Sequence, residues 1–169
     1  LLTCTATSAS DVLPAAPAWK GKSERLVAPA TDRWATVAEK SDFRESPSYA
    51  DTMAYLRALA DASDLITLHS FGKSHQGREL FYVHAKKPGA GKPVVMVQAG
   101  IHAGEIDGKD AGLMLLRDIA VRGRADLLDK VDLVFIPILN VDAHENASAL
   151  GRPHQRGPLM KGSRTSAQG

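Results

Sequence analysis

Residues 93–121 read Pro93-Val94-Val95-Met96-Val97-Gln98-Ala99-Gly100-Ile101-His102-Ala103-Gly104-Glu105-Ile106-Asp107-Gly108-Lys109-Asp110-Ala111 and continue as Gly112-Leu113-Met114-Leu115-Leu116-Arg117-Asp118-Ile119-Ala120-Val121. The opening run, Pro93 to Gln98, is almost unbroken apolar and β-branched, the pattern of a strand buried on both faces. From Asp107 to Val121 the spacing changes to that of a helix. Asp107 and Asp110 fall in its positively polarised first turn, and Asp110, Arg117, Asp118 and Arg122 leave a narrow polar stripe on a mostly apolar cylinder. Gly123 ends it, and Val131 to Leu139 (VDLVFIPIL) is a second apolar strand. Strand, crossover helix and strand make a βαβ unit.

Upstream of this unit, Leu65 to Phe71 and Leu80 to Ala85 read as two short strands. The second alternates Phe81, Val83 and Ala85 against Tyr82, His84 and Lys86, as a half-buried strand should. The connection Gly72 to Arg78 (GKSHQGR) suits a long hairpin. Before it, Tyr49 to Ala62 places Met53, Leu56 and Leu59 on one helix face after a Pro47-Ser48 start. The fold class is therefore α/β, a mixed β-sheet with flanking helices.

In open α/β sheets, ligands gather outside the carboxyl ends of the strands. His102 and Glu105 stand at such a place. An imidazole and a carboxylate three residues apart at a helix entry converge on one point, and both are good zinc ligands. Gly100 and Gly104 permit tight backbone geometry around them. With six His and six Glu in the chain, about 0.2 such pairs arise by chance, so the spacing alone carries little. The alternative is a plain helix start at which Glu105 favours the macrodipole and His102 ends a strand. The strand before, the helix after and the glycines favour the metal reading.

Composition narrows the remaining classes. The chain has 169 residues, 44% hydrophobic, with 21 Lys and Arg against 19 Asp and Glu for a formal charge of +2. Its basic residues are scattered, which argues against nucleic acid. No apolar run approaches the roughly 18 residues of a membrane span. The lone Cys4 excludes an internal disulfide and a Cys-based zinc site.

The ordered set of segments resembles the zinc carboxypeptidase family, the M14-type metallopeptidases. Gly100 to Ala111 (GIHAGEIDGKDA) resembles the family's first metal-binding segment, and Gly72 to Arg78 its turn before a strand. Pro137 to Asp142 (PILNVD) is similar to its Asn-Pro-Asp-Gly strand end, with Val141 and Ala143 in place of the Pro and Gly. Gly162 to Thr165 (GSRT) is similar to the segment carrying its catalytic arginine. The likeness runs from about Ser48 to Gly169, and implies the N-terminal portion of a larger catalytic domain, 48–169, truncated on its C-terminal side.

What the resemblance implies for chemistry is a single Zn2+ held by His102 and Glu105, with Arg164 stabilising the oxyanion of a tetrahedral intermediate; an Arg solvated in a terminal loop is an equal alternative for Arg164. The third zinc ligand, the Asn-Arg pair that grips a substrate's terminal carboxylate and the general-base Glu are expected beyond Gly169. The implied substrate is a peptide, or a small N-acyl amino acid or cell-wall peptide if the parent is a deacylase or amidase. A metal-free binding domain on the same scaffold is a third reading.

The other histidines are expected at the surface: His69, His75 and His84 on or between the early strands, His144 and His154 in loops. Asp142 and Glu145 are expected in strand-end hydrogen bonding rather than behind a metal-bound imidazole. Leu1 to Ser10 (LLTCTATSAS), apolar and then small, reads as the remnant of a secretory signal, which implies a secreted or periplasmic protein, with lipid attachment at Cys4 as the lesser alternative. Residues 11–47, rich in Pro and Ala, read as a leader or linker that wraps onto the domain.

Overall fold

The structure is a computed structural model and describes residues 20–102, 104–148, 151 and 161–162. Helix α1 (Val37–Lys40) and helix α2 (Tyr49–Ala62) precede a hairpin of strands β1 (Ile66–Lys73) and β2 (Glu79–Ala85). Strand β3 (Val94–Gln98), helix α3 (Asp107–Val121) and strand β4 (Asp132–Ile136) follow, then helix α4 (Val141–Glu145) and the short strands β5 (Ala147–Ser148) and β6 (Lys161–Gly162). The main sheet runs β1-β2-β4-β3. Strands β1, β2 and β4 are successively antiparallel, while β3 and β4 are parallel across the α3 crossover. Part of the C-terminal segment expected to be loop pairs instead, β6 lying antiparallel to β5.

Register explains the core. Ile66, Ala85, Leu133 and Val95 lie in one row across the sheet, and Leu68, Val83, Phe135 and Val97 in the next. Because side chains alternate, both rows face the same side, where α2 and α3 pack. Met53, Leu56 and Leu59 of α2 and Leu113, Leu116 and Ile119 of α3 join Ile66, Val83, Ala85, Leu133 and Phe135 in a single buried cluster. Gly112 is required at this contact: a Cβ there would lie 2.1 Å from the Phe135 ring. Helix α2 begins at Ser48, whose hydroxyl accepts from the Asp51 N–H at 3.1 Å, the expected N-cap.

One expectation is corrected. Strand β3 is not buried on both faces. Among the described residues it is the outer strand, and Val94, Val95, Met96 and Val97 are all exposed, Met96 by 60%. Its sequence suits an interior position, but no described strand pairs with its outer edge. The polar stripe of α3 is covered: Asp110 and Arg117 are buried against residues 26–46, and Asp118 is buried beside Arg117.

That cover is held by charge. Arg117 Nη1 donates to both Glu39 carboxylate oxygens at 2.7 and 2.6 Å, its Nε to Asp118 at 2.9 Å and its Nη2 to the Leu26 carbonyl at 2.9 Å. Glu39 also accepts from the N–H groups of Ala28 and Thr36, and Thr36 and Glu39 form a reciprocal capping box on α1. Burial pushes the Glu39 carboxyl up, but the guanidinium and the two N–H donors outweigh it and hold the carboxyl below its usual value.

Candidate metal centre

Strand β3 delivers the chain into a loop at its carboxyl end, and the neighbouring strand holds that loop by continuing the parallel pairing past β4. The Ala99 N–H donates to the Ile136 carbonyl at 2.8 Å, Leu139 N–H to Ala99 at 3.0 Å and Asn140 N–H to Gly100 at 2.9 Å. Gly100 meets this contact with φ +59°, and a Cβ on it would lie 2.9 Å from the Ile138 Cα. Glycine is needed here on both counts. The loop then turns, the Glu105 N–H donating to the His102 carbonyl at 3.0 Å.

This turn brings the two proposed ligands together. His102 Nδ1 and Glu105 Oε2 lie 3.1 Å apart, with side chains 53% and 45% exposed. Donors on a tetrahedral zinc with bonds of roughly 2.0–2.1 Å are about 3.3 Å apart, so the pair fits one ion with little adjustment. Among the described residues no group of three His, Cys, Asp or Glu forms a fuller donor set. Arg164, His154 and Cys4 lie outside the described residues.

Behind the loop is a polar cluster. His144 is not in an exposed loop: it lies on α4 with a side chain only 11% exposed. Its Nε2 is 3.0 Å from Lys109 Nζ and its Nδ1 2.8 Å from Glu145. An ammonium offers only donors, so Nε2 accepts and the imidazole proton sits on Nδ1, donated to Glu145. Burial and the adjacent Lys109 charge lower the His144 pKa, consistent with a neutral ring. Lys109 is 1% exposed and also donates to the Pro47 carbonyl; burial pulls its pKa down to about 8.

Asp142 is occupied with the hairpin. Its carboxylate accepts from the Ser74 hydroxyl at 2.8 Å, the Gln76 N–H at 3.1 Å and Arg78 Nη1 at 2.7 Å. Glu145 accepts from the Tyr49 N–H at 2.9 Å as well as from His144. Both acids thus sit on α4 rather than at a strand end: Asp142 holds the hairpin turn, and Glu145 holds the His144 imidazole and the start of α2. His69 and His75 are exposed as expected. His84 is half-buried, and among the described residues its Nε2 has no hydrogen-bond partner, Asp132 Oδ2 lying 3.9 Å away. Lys109 was legible but unread: it shares the buried helical face of Gly112, Leu113 and Leu116, where a lysine needs partners.

The family described as "Peptidase_M14: Zinc carboxypeptidase" matches residues 52–166. Carboxypeptidase 2 of Trichophyton rubrum is 32% identical over 113 residues, 60% of this chain and 21% of that protein. Carboxypeptidase B of Bos taurus is 32% identical over 94 residues, covering 52% and 22%. Carboxypeptidase A from Helicoverpa armigera superposes with a TM-score of 0.56 at 27% identity, covering 72% of this chain and 31% of that one. A structure of thrombin-activatable fibrinolysis inhibitor shares the fold at TM-score 0.59 and 18% identity, covering 84% and 36%. The chain thus spans about a fifth of these two curated relatives. With the family's match covering most of its length and the two candidate ligands on one loop, the chain belongs to the zinc carboxypeptidase family.

Proposed function

We propose that the full-length protein is a zinc-dependent metallocarboxypeptidase that removes a C-terminal residue from a peptide. The observation that carries this reading is the 3.1 Å approach of His102 Nδ1 and Glu105 Oε2 at the carboxyl end of β3, in a family of zinc carboxypeptidases. His102 and Glu105 would hold the ion. A zinc ion so held lowers the pKa of a bound water and polarises a carbonyl oxygen.

The chain's own residues supply the rest of the arrangement. His102 must present Nδ1 unprotonated, which leaves Nε2 to carry the ring proton. Gly100 lets the loop lie against Ile138, and the bonds from Leu139 and Asn140 keep it there. Arg164 is assigned as the fixed cation for the oxyanion that develops in the transition state. The third ligand, the carboxylate-gripping pair and the general base are assigned beyond Gly169. The apolar-then-small run at Leu1 to Ser10 supports a secreted or periplasmic location, and no helix among the described residues is long and apolar enough to cross a membrane.

Substrate blocking tests the reaction class. The full-length protein is expected to release the terminal residue from an N-blocked peptide with a free carboxylate and to spare the same peptide amidated at its C-terminus. Cleavage of N-acyl amino acids with neither peptide touched would contradict it in favour of a deacylase. Zinc-free protein without hydrolysis of any of these would leave a binding scaffold. Arg164→Ala should lower the rate constant about 10²–10³-fold; an unchanged value removes Arg164 from the mechanism.

A further inference from the structure

The loop carrying His102 and Glu105 is fastened twice to the same five-residue helix. At its head, the Asn140 N–H at the start of α4 donates to the Gly100 carbonyl at 2.9 Å. At its tail, Lys109 in the first turn of α3 reaches His144 of α4, Nζ to Nε2 at 3.0 Å, and the Pro47 carbonyl. Both candidate ligands lie between these attachments. Helix α4 is in turn immobilised, because Asp142 grips the hairpin turn through Ser74, Gln76 and Arg78 and Glu145 accepts from the α2 N-terminus at Tyr49.

Packing does not demand a lysine here. Lys109 sits on the buried face of α3 with no carboxylate within hydrogen-bond distance among the described residues: Asp110 is 3.9 Å away, and Glu145 and Asp51 act on it from further off. A buried ammonium is expensive compared with an apolar side chain of similar length, so a linear apolar residue would hold the helix at lower cost. What the apolar residue cannot do is bond to α4 and to residue 47 together.

We propose that Lys109, acting through His144, is a positioning residue for the metal loop: it pins the loop's tail to the helix that holds its head, so that Glu105 meets His102 before zinc arrives. This rests on the zinc reading given above. Binding to a site organised in advance does not have to order the loop; groups bonded directly to metal ligands are worth about 10–100-fold in affinity, and Lys109 and His144, which act one step further back, are expected at the lower end of that range.

The test measures zinc affinity by chelator competition and thermal unfolding of the zinc-free form, both in the full-length protein. Lys109→Met and His144→Leu are each expected to weaken zinc binding about tenfold, while Lys109→Met leaves the zinc-free melting temperature unchanged or raised. His144→Gln, which keeps an acceptor near the position of Nε2, should bind zinc nearly as the unaltered protein does. Wild-type affinity in both Lys109→Met and His144→Leu overturns the proposal while leaving the zinc reading intact, provided His102→Ala abolishes binding. A fall in affinity only in proportion to lost zinc-free stability overturns it too, since that marks a purely structural role. No zinc binding by the unaltered protein overturns both. Should Lys109→Met fail to fold, His144→Leu, which keeps Lys109 on Pro47, decides alone.

Discussion

Asp110 is a residue whose place along the helix is plain from sequence and whose burial is not. Its position in the first turn of α3 is the one expected for an acid near a helix dipole. The side chain nevertheless lies under the 26–46 segment, 8% exposed, with Ser46 donating to it at 2.9 Å. Burial raises its pKa to about 6, against the opposing pull of Lys109. A carboxyl that holds its proton more tightly when folded favours the fold below its unfolded value near 3.8, and that contribution is lost as pH rises through about 6. Asp110→Asn is expected to stabilise the protein at pH 7 by about 1–3 kcal/mol and to flatten stability between pH 4 and 6. Thermal unfolding across that range checks both, and a destabilised variant with the slope intact would contradict them. His102 and Glu105 were legible because their spacing and the flanking glycines are local. The burial of Asp110, Lys109 and His144 was not, because each is covered by residues far away in sequence.

Helices α2 and α3 begin and end where apolar spacing places them, at Tyr49–Ala62 and Asp107–Val121. The sheet strands agree to within one to three residues at most ends, since period and turn residues are also local signals. Helix α1 and residues 26–46 were read only as a wrapping leader, because the ion pair that fastens them joins Glu39 to Arg117, 78 residues apart. Both side chains are fully buried, and a fully buried pair is costly to break on one side only. Glu39→Ala should destabilise the protein by about 3–5 kcal/mol by leaving Arg117 unpaired, while Glu39→Leu with Arg117→Met should recover much of the loss. Chemical denaturation of the single and double variants separates the two results; a double variant no better than Glu39→Ala would contradict the account. Because its folded pKa is held below 4.5, Glu39 contributes stability above that pH and loses it as pH falls through the lowered value. Helix α4 escaped the sequence reading for another reason: five residues show too little periodicity, and its importance lies in where Asp142, His144 and Glu145 reach.

At the scale of the molecule, the sheet has one face closed by α2 and α3 and an outer strand whose side chains are open to solvent. The register sets this arrangement, and with it the position of the metal loop at the carboxyl end of β3 beside α4. The apolar run of β3 specifies a strand but not its place in the sheet, and no described strand covers its outer edge. We propose this loop as half of a zinc site, and the zinc that the full-length protein retains after dialysis against a chelator decides the matter. Stoichiometric zinc in the unaltered protein, lost in both His102→Ala and Glu105→Ala with the fold intact by circular dichroism, is the predicted result. Zinc retained undiminished in both variants would contradict it.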